Sequence, residues 1–275
     1  MQKLIQKSKE DLFSQHKSLS IQFSLDGFSF CVKDIPSQNI ILLTEYAFDQ
    51  RVDTPQLLLE KVQEIFESDK ELQVDFESIT AIHQNQLVTQ VPNDYFDEAQ
   101  LQSYLNFTIK TLASDYITFD NLASIEAKNV YIPYVNINNF LFQNFGEFEF
   151  KHHSTVLIEQ LTKMHQQNTK ETMYVNVSYY NMDVVVFVNG AFTLYNSFEF
   201  TSKEDFLYYI LFVAEQLELD FTTFQLLFLG NIVNDYETYS IARQYIQNVD
   251  FIEPNHDFLE KSEHFFPHSN YILLS

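Results

Sequence analysis

Asp26-Gly27 is the pair whose residue types could do chemistry: the carboxylate can hold a magnesium ion, and the glycine can bring a backbone amide to a phosphate. The same dipeptide is a strong β-hairpin turn, and both readings stay open at this point. A phosphate cradle needs several approachable amides, yet the chain holds only four glycines, Gly27, Gly146, Gly190 and Gly230. Neither a P-loop nor a dinucleotide fingerprint occurs. His152-His153 with His165, and His256, His264 and His268, could be offered as metal ligands. Pro267 breaks the helix that His264 and His268 would need, and no cysteine or carboxylate completes a motif. These histidines are expected at the surface, and no metal site is expected. Cys31, the one cysteine, lies mid-strand in an apolar hairpin with no histidine nearby, which favours a structural thiol over a nucleophile and excludes an internal disulfide. The acidic residues show no paired spacing that singles out an acid and a base, so no catalytic residue is assigned.

The elements that would position these residues repeat. Met173 to Tyr179 alternates with period two, Asn181-Met-Asp183 supplies a turn, and Val184 to Val188 returns. Asn189-Gly190 is the dipeptide best able to take the positive φ angles of a type I′ hairpin, before a third strand from Ala191 to Phe200. Thr201-Ser202 caps a helix whose buried stripe is Phe206, Ile210, Val213, Ala214 and Leu217. A looser copy comes first. Leu19 to Leu25, the Asp26-Gly27 turn, Phe28 to Val32 and Ile40 to Ala47 precede a helix entered at Asp53-Thr54-Pro55, with Leu58, Val62, Ile65 and Phe66 as its stripe. Residues 19 to 66 and 173 to 218 should therefore superpose.

Between the copies, Ile79–Ile82, Gln86–Val91, Tyr116–Phe119, Asn129–Ile132 and Glu147–Phe150 read as strands. Asp97–Ala113, Val135–Phe145 and Ser154–Gln167 read as helices, the last ending in a hinge at Asn168–Glu171. After the second copy come an interior strand, Phe224–Leu229, a helix, Asp235–Gln247, and a strand, Val249–Ile252. The expected division is a polar tail over 1–17, a first lobe over 18–153, a connecting helix and hinge over 154–171, and a second lobe over 172–275.

Sixteen basic residues face 38 acidic ones, a formal charge of −22, and only Arg51 and Arg243 are arginines. Nucleic-acid partners are excluded on this balance, because phosphate affinity comes from clustered Lys and Arg releasing counterions. Lys3, Lys7, Lys9 and Lys17 make the N-terminus a mild positive exception. That terminus has no apolar core of a signal peptide, and no run nears the length needed to span a bilayer, so a soluble, cytoplasmic protein is expected without membrane insertion. Phe and Tyr total 44 without a Trp, which an AT-rich genome explains by its codons.

Two strand–strand–strand–helix units, each extended by helix and strand pairs, resemble the duplicated lobe of the actin, hexokinase and heat-shock chaperone superfamily. In detail the chain is similar to a small bacterial family of uncharacterised proteins with an actin-like ATPase fold. Ser24-Leu-Asp-Gly-Phe-Ser-Phe30 within Leu19–Val32, and Asn176–Phe200, carry the resemblance, and element order extends it over residues 18 to 253. In architecture alone it also resembles the cytoplasmic actin-like proteins of pilus and secretion machines. The resemblance implies an α/β, duplicated actin-like (ribonuclease H-like) fold, two lobes each with a mixed β-sheet flanked by helices.

In that superfamily the first hairpin of each lobe holds phosphate through glycine amides and an Asp that reaches the metal, and a paired-glycine turn of the second lobe contacts the nucleoside. Asp26 and Gly27 could stand for the first loop, though the usual Asp-x-Gly-Thr order is absent and Phe28 follows. Gly230 and Asn231 keep one glycine where two are expected, and Tyr179-Tyr-Asn-Met-Asp183 has none. The expectation is a non-catalytic scaffold that binds an unidentified protein and needs no cofactor. The alternative is a nucleotide-binding ATPase or kinase that holds Mg-ATP through Asp26, Gly27, Gly230 and Asn231. A partner of so acidic a body should be basic or use an apolar patch between Ile79 and Phe145.

Overall fold

The computed structural model describes residues 1–7, 16–166, 168–254, 256–260 and 262–275. The chain divides into two compact units, Met1–Val156 with Leu274, and Leu157–Leu273 with Ser275.

In the first unit the strands β1 (Gln2–Lys7), β2 (Lys17–Ser24), β3 (Gly27–Asp34) and β4 (Ile40–Ala47) lead into helix α1 (Pro55–Ser68). There follow β5 (Ser78–His83), β6 (Val88–Pro92), α2 (Leu101–Leu105), β7 (Thr118–Leu122), β8 (Ala127–Tyr131), α3 (Val135–Phe145) and β9 (Glu149–His152). Helix α4 (His153–His165) crosses the boundary between the units. The expected end of this helix at Gln167 lies outside the described residues. The main sheet has the order β1-β4-β3-β2-β5-β9, antiparallel as far as β2 and parallel from β2 to β9. Strands β6, β8 and β7 form a separate antiparallel sheet inserted between β5 and α3.

The second unit holds β10 (Thr172–Val177), β11 (Asn181–Val188), β12 (Ala191–Glu199), α5 (Lys203–Gln216), β13 (Gln225–Gly230), α6 (Glu237–Tyr245), β14 (Asn248–Phe251) and α7 (Tyr271–Leu274). Its sheet order is β12-β11-β10-β13-β14. Setting aside the edge strand β1, this is the order of the first unit, with the same strand directions, as duplication requires. The correspondence extends to register: β10 pairs with β13 from Thr172↔Gln225 to Val177↔Gly230, as β2 pairs with β5 from Ser18↔Ser78 to Phe23↔His83. Each unit thus has a mixed sheet flanked by helices.

The helices form where caps and stripes dictate. Thr54 and Ser202 accept hydrogen bonds from the backbone N–H of Leu57 and Asp205, three residues on, satisfying donors that a helix start leaves open. Leu58, Val62, Ile65 and Phe66 of α1 pack with Leu19, Ile21 and Phe23 of β2 in one core; Phe206, Ile210 and Val213 of α5 pack with Val175, Val184 and Val186 in the other. Each such side chain contributes about 1.5–3 kcal/mol when fully buried. Asn189 and Gly190 take φ values of +52° and +79°, the type I′ turn expected of that pair.

Several expectations are corrected. The N-terminus is not a tail over 1–17: Gln2–Lys7 is a strand whose ladder hydrogen bonds go to the outer edge of β4, with Lys3 and Lys7 paired to Asp69 and Glu71. Residues 8–15 of that span lie outside the described residues. In the first hairpin the two-residue loop is Leu25-Asp26, since Ser24 already pairs with Gly27. In the second it is Tyr179-Tyr180, and Asn181–Asp183 belongs to β11. The helix expected over Asp97–Ala113 is confined to α2 and a single 3₁₀ turn before it. The Asn106 carboxamide accepts from Thr111 and the Asp115 carboxylate accepts from Leu112 N–H, local bonds that compete with a helical ladder.

Candidate functional site

Asp26 sits at the tip of the β2–β3 hairpin, whose backbone is tied down on the far side: Phe48 N–H donates to Asp26 O at 3.0 Å and Val52 N–H to Leu25 O at 2.8 Å. The Asp26 amide donates to Ser24 Oγ at 3.1 Å. Its side chain is buried, with Arg51 Nε 3.6 Å from Asp26 Oδ1. Burial, helped by the negative charge of Asp26 and opposed by Arg51, holds the Tyr134 phenol above its ordinary value. The short connection from β4 to α1 brings Arg51 to the carboxylate. Gly27 is required by space, because a Cβ there would stand 2.7 Å from Tyr46 O.

The second hairpin repeats the first with different chemistry. Phe200 N–H donates to Tyr180 O at 3.0 Å, the bond that Phe48 makes to Asp26, so Tyr180 occupies the place of Asp26. Tyr179 and Tyr180 are both exposed. Gly230 has φ of +86°, and a Cβ on it would lie 2.3 Å from Val177 O. Its N–H donates to His268 O at 3.0 Å, while Asn231 N–H donates to Val177 O at 2.7 Å. The counterpart of that last bond runs from Gln84 N–H to Phe23 O in the first unit. His268 is stacked on Phe251 at 4.1 Å and bonds Ile232 O through Nε2 at 2.6 Å. Within the sheet, Asn176 Nδ2 and the Tyr195 hydroxyl donate to the Asp183 carboxylate. The structure therefore keeps Asp26 with Gly27 at one hairpin and Gly230 with Asn231 at another strand end, each built into its own unit.

The histidines expected at the surface are in large part interior. His152, His153, His165 and His268 are buried, and so is His83. His83 Nδ1 accepts from Tyr134 N–H at 3.0 Å and Nε2 lies 2.9 Å from Asn138 Oδ1, which defines the neutral ring protonated at Nε2. Burial depresses its pKa to about 3, with the Asn138 bond opposing. His152 Nδ1 lies 2.7 Å from Ser154 Oγ, a pair that could suggest a nucleophile and base. Ser154 is also held by Asn129 Nδ2, and both His152 and Ser154 have no exposed surface for a substrate to reach. Asp120 accepts from the backbone N–H of His152 and from the Thr155 and Tyr131 hydroxyls, leaving it no bond to the imidazole ring. This network joins the inserted sheet to β9 and α4 as structure. Its signal in the sequence was faint: polar residues at strand ends that alternation marks as inward.

Burial pushes the Cys31 thiol up to about 12, so it is a core group and not a nucleophile. Among the described residues no cluster of three or more His, Cys, Asp or Glu is arranged to hold a metal ion. No helix among them is long and apolar enough to cross a membrane.

Duplicated mixed sheets with matched hairpins at equivalent strand ends define a protein of the actin-like ATPase fold. The chain belongs to the family of proteins of unknown function DUF3822, whose model matches residues 6–249. The structure is similar to that of a Bacteroides thetaiotaomicron protein with an actin-like ATPase fold and unknown function, with a TM-score of 0.77 at 23% identity over 92% of this chain and 98% of that one. It is also similar to a chain of the PilM–PilN type IV pilus biogenesis complex, with a TM-score of 0.60 at 11% identity, covering 94% and 96% of the two chains. Both likenesses concern the fold alone. Among curated proteins none matches the sequence.

Proposed function

We propose that this protein is a non-catalytic, cytoplasmic scaffold of actin-like fold that acts by binding another protein. The observation that carries the reading is the state of the second-unit amides. The N–H groups of Gly230 and Asn231 are both spent on internal carbonyls, His268 O and Val177 O, and Tyr180 stands where the first hairpin has Asp26. A polyphosphate brought to a chain of charge −22 needs oriented amides, a metal carboxylate and cationic clamps to offset repulsion and desolvation. Asp26 offers the one carboxylate, already faced by Arg51. The pilus-complex likeness lends support by analogy, since that structure is a complex of two proteins.

Titration calorimetry and a thermal-shift series with millimolar Mg-ATP test the proposal. No saturable binding is expected; saturable binding that disappears in Asp26→Ala would replace the scaffold by the nucleotide-binding alternative. The same acidity predicts no tight, salt-sensitive binding to duplex DNA or RNA, which gel-shift titrations over a salt series would read.

A further inference from the structure

A cavity of about 640 Å³ opens in the first unit between the second half of α1, the connection into β5 and the end of α3. That is the size of a ligand pocket, and the walls are preformed. Phe66, Phe76, Phe140 and Phe145 line it and belong to or pack on the main core. Phe66 meets Phe140 edge-on at 5.0 Å, and Phe145 lies 5.6 Å from Phe66 and 6.2 Å from Phe76. The rings brace one another, so an incoming group would meet a fixed apolar floor.

The rim is polar. Gln73 Nε2 donates to Phe66 O and Glu67 O, and Asn144 Nδ2 to Phe140 O, which ties these two carboxamides to helix carbonyls, and Gln63 adds a third carboxamide. Glu67 and Asp75 add two carboxylates, and among the described residues no Lys, Arg or His lines the cavity. The other acids along this stretch have partners: Glu64 pairs with Lys61, Asp69 with Lys3 and Glu71 with Lys7, and the Glu77 carboxylate lies 2.7 Å from the His16 ring. The two of this stretch with no Lys, Arg or His partner among the described residues, Glu67 and Asp75, are the two that face the cavity. An anion or nucleotide is rejected by such a lining, and a donor-rich cation suits it.

We propose that this cavity binds a basic peptide segment of the partner protein, seating an apolar side chain on Phe66 and Phe145 while flanking Lys or Arg side chains meet Glu67 and Asp75. The proposal rests on the scaffold reading for its occupant being a protein. It differs in kind from the hairpin sites, whose chemistry would be that of phosphate.

Selection of phage-displayed random peptides on the full chain, followed by fluorescence anisotropy with the enriched peptides, tests it. The expected consensus is an apolar residue flanked by Lys or Arg. Glu67→Gln with Asp75→Asn should weaken its binding at least tenfold, and Asn144→Trp, an exposed position whose new ring fills the cavity, should abolish it with the circular dichroism spectrum unchanged. A charge-matched control, Glu60→Gln with Glu98→Gln, should bind as the parent does. A neutral or acidic consensus, no enrichment, unchanged affinity in the cavity variants, or equal weakening in the control would each overturn the proposal. A partner protein that still binds the cavity variants would sink the cavity and leave the scaffold standing, whereas saturable Mg-ATP binding would sink the scaffold.

Discussion

Gly230 shows how one residue can be fixed by its surroundings and not by any reaction. Its φ of +86° already costs an L-residue about 1–2 kcal/mol, and a methyl group would also press into Val177 O at 2.3 Å and Asn176 Oδ1 at 2.8 Å. These are backbone and bonded atoms at the sheet's centre, so relief requires parting β10 from β13. Gly190 has a similar φ, +79°, but among the described residues a Cβ there meets only Asn168 O at an ordinary 3.6 Å. Gly230→Ala should therefore destabilise by clearly more than about 2 kcal/mol, and Gly190→Ala by about 1–2 kcal/mol, in urea denaturation. Equal losses would show that φ alone matters and that the sheet yields at the end of β13. The contrast also explains why a single glycine at this strand end is no remnant phosphate loop by necessity: packing is enough to require it.

At the scale of elements, the second-unit helix is predicted to depend on its cap. Ser202 Oγ accepts from Asp205 N–H while the Asp205 carboxylate accepts from Thr201 N–H and Oγ, a reciprocal arrangement that fixes where α5 begins. Ser202→Ala should cost about 1 kcal/mol in the urea midpoint, and Ser202→Asp should restore most of it. Such elements were legible because their signals are local: caps, stripes at helical spacing, and Asn-Gly each act within a few residues. The helix α1, with Thr54 and its stripe, was readable for the same reason, and the matched strand orders follow from the matched element orders. The hairpin tips were misread by one or two residues because register is set by pairing across strands: Ser24↔Gly27 and Val177↔Met182 exclude the Asp-Gly and Asn-Met-Asp turns. The strand β1 was hidden because an edge strand half open to water needs no alternating apolar face. Nor could spacing reveal Arg51 beside Asp26, or the aromatic cavity behind α1, since both are made by elements meeting in space.

For the whole molecule, the buried histidines make acid the solvent condition that should matter most. Free histidine titrates near 6.5, whereas His83 in the fold titrates near 3, chiefly because burial penalises the charged ring. His152, His165 and His268 are displaced downward as well, each by burial first. The unfolded chain therefore binds protons that the native state refuses, so stability is complete above pH 6.5 and falls as the pH drops from there toward 3. Each fully refused proton costs about 1.4 kcal/mol per pH unit in that window. Asp120, held above its ordinary value by burial against the bonds from Thr155, His152 and Tyr131, works the other way, since its protonation on acidification favours the fold. Relief of self-repulsion among 38 acidic residues also favours the fold, but only near and below the usual carboxylate range. Between pH 7.5 and 5.5 the histidines should win, and the urea midpoint should fall. His83→Gln, whose carboxamide can keep one of the two bonds to Tyr134 and Asn138, should be less stable at pH 7.5 yet lose about 1 kcal/mol less than the parent between pH 6.5 and 5.5, since the unfolded ring is only half protonated at pH 6.5. Parallel pH profiles for the two proteins would show that His83 takes up its proton in the folded state and that the acid sensitivity arises elsewhere.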